Sequence, residues 1–361
     1  MSLKASWQQY TLQFTFDAGT SRGVMRTRDT WVIRLWDAHH PGVSGYGEAG
    51  PLPGLSIDHR PDIGDTLDRV LKLLEGMAPP ATPEEVYRLV QDLVPAEWPS
   101  IRFAVETALL DLVNGGSRII IDKGVGKDTR IPINGLIWMG DKPFMLQQME
   151  SKLAAGFSCL KMKIGAIESR QEEQVLGAIR ERRKARELTL RVDANGAFTP
   201  ENALDHLHRL AAYDLHSIEQ PIKPGQPEAM RKLCENSPLP IALDEELIGL
   251  HTTEQRAMLL ERIRPFGIVL KPGLVGGLAS TLEWIRLAEE RDIAWWVTSA
   301  LESNIGLNAI AQLTASLDPT MHQGLGTGQL YHNNFPSPMV IKQGSLQYDS
   351  GQPWDLSQLS V

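Results

Sequence analysis

The chain has 361 residues, 42% hydrophobic and 22% charged, with a formal net charge of −8 and a pI near 5.7. That length can bury one large core or two smaller ones, and the acidic balance argues against nucleic acid or an anionic membrane as the main partner. Cys159 and Cys234 form no metal-type spacing, no stretch approaches the roughly 20 apolar residues of a membrane span, and MSLKASWQQYTLQF lacks a secretory apolar core, so a cytosolic protein with free thiols is expected.

The first part of the chain reads as α+β. SWQQYTLQF, TWVIRLW and GVSGYGEAG alternate apolar and polar residues and predict antiparallel strands. IGDTLDRVLKLLEGM places Leu67, Val70, Leu71 and Leu74 at helical spacing. TPEEVYRLVQDL opens with Thr82 as N-cap, Pro83 in the first helical position and Glu85 to complete a capping box. SIRFAVETALLDLVNG follows as a long apolar helix ending near Gly115.

From about Ile131 short apolar runs alternate with amphipathic helices. The predicted strands are IPINGLIW, CLKMKIG, LTLRVDAN, SIEQPI, PIALDEE, GIVLKPG, AWWVTSA and, more weakly, HQGLGT. Strand–helix repeats of this kind imply a parallel sheet, and about eight of them close into a barrel. The last segment, YHNNFPSPMVIKQGSLQYDS, returns to strands and turns and is expected to leave the barrel and pack on the first domain.

Six strands end in residues that do not belong in a core: Lys163, Asp193 (with Asn195), Glu219, Asp244 (with Glu245), Lys271 and Ser299, at spacings of 30, 26, 25, 27 and 28 residues. Each spacing is one strand plus one helix, so in a barrel these positions form a ring at the C-terminal mouth. An acid at one strand end is more often a cap, but lysine, acid, acid, acid, lysine on successive strands is not a capping pattern. Asp193, Glu219 and Asp244 would repel one another without a cation between them, and an all-carboxylate site suits Mg²⁺ better than Zn²⁺. Lys163 and Lys271 flank the trio and would face each other across the metal. That arrangement suits removal of a proton next to a carboxylate, with the divalent ion stabilising the enediolate. A lysine acts as a base only when neutral, and positive charge from Lys161 and the metal favours that form; Lys161 is therefore read as the electrostatic partner of Lys163.

At these residues the sequence resembles the enolase superfamily. KMK (161–163), DAN (193–195), EQP (219–221), DE (244–245) and KPGLVGG (271–277) are similar to its muconate-lactonising subgroup. The resemblance implies an α/β fold: a modified TIM barrel of (β/α)7β type (129–327), an N-terminal α+β capping domain (1–128) and a C-terminal segment (328–361) returning to that domain. It implies Mg²⁺, or Mn²⁺ as a substitute, and a small-molecule carboxylate substrate. GYGEAGPLPGLS and TSALESNIGLNAIAQL are similar to a branch that dehydrates a hydroxycyclohexadiene carboxylate to its aromatic product in menaquinone and phylloquinone biosynthesis. In such a reaction Lys163 takes the α-proton, and the same ammonium returns a proton to the departing hydroxyl on the same face. Lys271 holds the developing anion or lies against the ring as a cation–π partner.

The same resemblance places lid loops near FDAGTSRGVMRTRD and GPLPGLS, with Leu52 and Leu55 over the substrate ring; Arg22, Arg26 and Arg28 read either as aids to the substrate's charge or as a solvated basic strand. Asn195, Ser299, Leu52 and Gly324 are the expected substrate contacts. N-acylamino acid racemization, dipeptide epimerization and muconate cycloisomerization use the same proton chemistry, and the racemase stays open; a further rival is a non-catalytic metal-binding barrel, against which the intact lysines on both sides speak. Dipeptide epimerases usually carry Asp-x-Asp at the eighth strand, where this chain reads GTG. GVGK (124–127) lacks P-loop spacing, and GLGTGQL (324–330) is read as a tight loop rather than a dinucleotide site.

Overall fold

Three antiparallel strands open the chain: β1 (Leu3–Thr20), β2 (Gly23–Asp37) and β3 (His40–Ala49), in the order β1-β2-β3. The computed structural model describes residues 2–20, 23–121, 126 and 129–361. Arg22, and Gly124, Val125 and Lys127 of the GVGK stretch, lie outside the described residues. Both faces of β2 are covered. Ile33 and Leu35 join the main core on one side, and Val32 packs with Ile305 and Phe335 on the other.

Three helices cover the first face: α1 (Ile63–Leu74), α2 (Pro83–Leu93) and α3 (Pro99–Val113). α1 buries Ile63, Leu67, Val70, Leu71 and Leu74, the stripe its periodicity predicts. Each such side chain stabilises the fold by about 2 kcal/mol when fully buried. Thr82 caps α2 through the Glu85 N–H at 3.3 Å, but the Glu85 carboxylate reaches Ala81 N (2.7 Å) rather than the cap's own N–H. α3 is buried along almost its whole circumference because it lies between β3 and the second half of the molecule.

The second half alternates strand and helix: β4 (Arg130–Pro132), β5 (Gly135–Ile137), α4 (Lys142–Ala154), β6 (Cys159–Lys163), α5 (Ser169–Arg182), β7 (Thr189–Asp193), α6 (Ala203–Leu210), β8 (Ser217–Glu219), α7 (Pro227–Asn236), β9 (Ile241–Leu243), α8 (Thr253–Ile263), β10 (Gly267–Leu270), the short α9 (Pro272–Val275), α10 (Gly277–Glu289), β11 (Ala294–Val297) and α11 (Asn304–Ser316). Strands β5 to β11 form one seven-stranded parallel sheet in sequential order. This is the modified barrel with a separate antiparallel cap.

Two expectations need correction. IPINGLIW is not one barrel strand. β4 pairs instead with the C-terminal hairpin β12 (Met339–Lys342) and β13 (Ser345–Tyr348), and the barrel strand begins only at Gly135. Pro132 lacks the N–H that would continue a ladder. HQGLGT makes no extended strand among the described residues. Single bridges, Ile133 to Gln323 and Thr298 to Gly324, close the ring, and residues 326–329 turn into a 3₁₀ helix.

Cap and barrel are joined through buried acids. Glu48 of β3 accepts from Ser303 N and Gly306 N at 2.9 Å each, and so caps α11 from outside its own segment. Glu106 of α3 accepts from Leu278 N (2.5 Å) in the first turn of α10. Burial pushes the Glu106 carboxyl up to about 8, against the Leu278 and Ala279 N–H groups and Arg102, which pull it down. In the unfolded chain it titrates near 4.5. Between these values the folded protein binds more protons than the unfolded one, so this group removes stability as pH rises. Glu106→Gln is expected to abolish that contribution. Urea unfolding near pH ~5 and pH ~8 checks it: the wild type should lose stability relative to the variant at the higher pH.

Candidate active site

Strand alternation puts Cys159, Lys161 and Lys163 of β6 on one face. The parallel register then aligns Lys163 with Asp193, and Asp193 with Glu219, in one row across three strands. Glu219 pairs with Ala242, so Asp244 stands two residues beyond that row, just past the end of β9. Lys271 follows β10 directly. The backbone after these strands is tight: Asn195 (φ 44°) and Gln220 (φ 37°) both take left-handed conformations that side-chain-bearing residues disfavour.

The carboxylates of Asp193, Glu219 and Asp244 are buried, and one oxygen from each lies within 4.8 Å of the others. The ammonium groups border them. Lys163 Nζ donates to Asp193 Oδ2 (3.1 Å) and Asn195 Oδ1 (2.7 Å). Lys161 Nζ donates to Glu219 Oε2 (2.7 Å) and lies 3.4 Å from the same Asp193 Oδ2. Lys271 Nζ donates to Asp244 Oδ2 at 2.5 Å. Lys161 therefore meets Lys163 through a shared carboxylate oxygen, not by direct opposition.

Burial favours a neutral Lys161, but the carboxylates of Glu219, Asp193 and Asp244 outweigh it and hold the ammonium above the usual lysine range. Lys271 is raised in the same way, burial being overcome by Asp244 and Glu245. Asp193 goes the other way: against burial, Lys163, Lys161 and Lys271 keep its carboxyl well below the usual range. For Glu219 burial dominates and raises it, with Lys161 opposing. Glu219 Oε1 is buried and has no hydrogen-bond partner among the described residues. An orphaned acceptor beside two more buried carboxylates is a donor set that fits a hard divalent cation.

Above the trio lies a cavity of about 790 Å³. Lys161, Lys163, Asp193, Asn195, Lys271, Ser299 and Gly324 line it, with Leu52, Pro53 and Leu55 from the cap. Glu219 and Asp244 lie beneath that lining. The Gly324 N–H is bonded to Val297 O (2.8 Å), so the residue offers the cavity no free donor. A Cβ there would fall 2.2 Å from Thr298 Oγ1, so the glycine admits the close pairing with Thr298 that closes the ring.

The arginines depart from expectation. Arg26 is exposed and paired with Asp17 at 2.8 Å, and Arg28 is buried at the cap–barrel junction; neither lines the cavity. Sequence reading placed Glu245 beside Asp244 but gave it no role; its Oε1 accepts from Asn195 Nδ2 (2.9 Å), and its carboxyl is pushed up to about 7 by burial and by Asp244. Gln220 likewise received no role; its Oε1 accepts from Asp244 N (3.1 Å) and Glu246 N (3.2 Å) and fixes the turn that carries Asp244. Their signal was adjacency: both sit next to a strand-end acid.

Residues 145–352 match the family described as Enolase C-terminal domain-like. The chain belongs to this family. Among relatives in it, o-succinylbenzoate synthase from Desulfotalea psychrophila is 47% identical over 95% of this chain and 98% of its own length. Hydrophobic dipeptide epimerase from Enterococcus faecalis is 27% identical over 81% of each chain. The crystal structure of MenC from Desulfotalea psychrophila superposes with a TM-score of 0.85 at 43% identity, covering 96% of this chain and 100% of that one.

If the trio holds a divalent cation, adding one raises the thermal unfolding midpoint through preferential binding to the folded state. Glu219→Gln should lose most of that rise. Calorimetric titration should show affinity lowered by about tenfold or more. An equal rise in both proteins would place the cation elsewhere.

Proposed function

We propose that the protein catalyses the Mg²⁺-dependent syn-dehydration of 2-succinyl-6-hydroxy-2,4-cyclohexadiene-1-carboxylate to o-succinylbenzoate, a step of menaquinone and phylloquinone biosynthesis. The observation that carries this reading is the placement of Lys163 and Lys271 on opposite flanks of one buried carboxylate trio, in one cavity. The relative of that name, similar along nearly the whole of both chains, supports the choice of substrate. We also take 1–128, 129–327 and 328–361 as the cap, barrel and return segment, and place the protein in the cytoplasm. Cys159 and Cys234 are both free, in keeping with a reducing compartment.

Asp193, Glu219 and Asp244 would hold Mg²⁺, which would supply positive charge to offset the charge that deprotonation adds. The rest belongs to the chain. Asn195 Oδ1 and Asp193 Oδ2 aim the Lys163 amine, which takes the proton from the carbon next to the carboxylate. The C–O bond to the hydroxyl then breaks, a ring double bond forms, and the Lys163 ammonium gives a proton to the departing oxygen, releasing water. Lys271 stays protonated on the other flank and faces the ring and its carboxylate. Leu52 and Leu55 exclude water from the ring.

Amines on both flanks also favour racemization of N-acylamino acids, since a proton removed on one side can return on the other. Turnover of the cyclohexadiene substrate measured beside exchange of the α-proton of N-succinyl amino acids in D₂O separates the two. Lys163→Ala should lower kcat by about 10³-fold or more while leaving Mg²⁺ affinity within a few-fold of wild type. Retained turnover in that variant would refute the role given to Lys163.

A further inference from the structure

Two loops that belong to different parts of the fold build the apolar wall of the cavity. One is the cap turn Gly50–Leu55, which supplies Leu52, Pro53 and Leu55; the other follows β11 and supplies Ser299, Ala300 and Leu301. Leu301 has φ 65°, a conformation a leucine disfavours. Its surroundings hold it there. The Leu301 carbonyl accepts from Arg28 Nη1 and from Tyr331 Oη (2.6 Å). Its N–H reaches Ser299 Oγ at 3.3 Å, and that hydroxyl lies 2.6 Å from Thr327 Oγ1.

The other amino group of Arg28, Nη2, donates to the Gly50 carbonyl at the start of the cap turn. One guanidinium thus holds a carbonyl from each wall. Its side chain is 0% exposed, with Glu48 at 3.9 Å to balance the charge. Gly50 is the residue that permits this approach, since a Cβ there would stand 2.1 Å from Nη2. The Leu301 side chain bridges two apolar groups, one with Leu52, Leu55 and Leu274, the other with Trp138, Leu330 and Tyr331.

We infer that Arg28 and Tyr331 are positioning residues for substrate binding: together they lock Leu301 in its left-handed conformation and dock it on the cap turn, so that Leu52, Leu55 and Leu301 form one continuous wall over the bound substrate. Arg28 thereby acts on affinity through the backbone of two loops, with no contact to the substrate's charge. A lysine cannot replace it, because one ammonium lacks the planar fork that serves two carbonyls at once. The inference rests on the cavity being the substrate site of the reaction proposed above.

The test uses Tyr331→Phe, which loses only the hydroxyl and keeps its ring against Phe14 (centroids 4.7 Å apart), and Arg28→Lys, which keeps the charge beside Glu48. Amide hydrogen exchange without substrate is the first readout. Exchange should be about tenfold faster across 299–303 in both variants and across 50–56 only in Arg28→Lys, with β6 to β8 unchanged. Steady-state kinetics is the second. KM should rise by about fivefold or more with kcat within about twofold of wild type. Unchanged exchange in both segments, or a fall in kcat at unchanged KM, would overturn the inference. Tyr331→Phe alone decides if Arg28→Lys does not fold. A wild type inactive on the cyclohexadiene substrate would refute the functional reading, and exchange would still decide this one.

Discussion

Three carboxylates buried side by side are the constraint around which the barrel is organised. Asp193, Glu219 and Asp244 stand where three parallel strands end, with almost no solvent to dilute their repulsion. They persist because three ammonium groups from both flanks share their oxygens. The parallel register makes this possible: it sets Asp193 and Glu219 in one row and brings Asp244, two residues beyond that row, to the same end of the sheet. The cost of holding six charged groups in a core is offset only when each is closely paired. Glu219 Oε1 stays without a partner among the described residues, an acceptor that suits a divalent cation.

The cap depends on this floor and shapes the roof above it. Glu48 and Glu106 reach across from the cap to the first turns of α11 and α10, where helix N–H groups need acceptors. These contacts fix the body of the cap on the barrel. Phe16, Met25, Leu52 and Leu55 then complete a pocket that is charged below and apolar above. That division matches a ligand with a carboxylate at one end and a hydrocarbon ring at the other.

Much of the architecture was legible because strand-end polarity repeats with the strand–helix period. Lys163, Asp193, Glu219, Asp244 and Lys271 each interrupt an apolar run, and their spacing converts to a ring by barrel geometry alone. What sequence could not give was pairing at a distance. Arg28 looked like one of three basic residues on a solvated strand, yet it is buried because Glu48, Gly50 and Leu301 converge on it. IPINGLIW looked like one strand, yet Arg130–Pro132 answers to a hairpin about two hundred residues later. Lys161 and Lys163 share Asp193 Oδ2, as their common strand face suggests, but the shorter bond of Lys161 is to Glu219. A lone buried acid such as Glu106 in an apolar helix carried a signal, though only the fold reveals that α10 is what it caps.

The central claim concerns where a cation sits and what surrounds it. Anomalous scattering from crystals grown with Mn²⁺ tests this most directly. The account predicts one strong peak among the carboxylates of Asp193, Glu219 and Asp244, with the amines of Lys163 and Lys271 on opposite sides of it. A peak bounded by other residues, or amines gathered on one side, would contradict it.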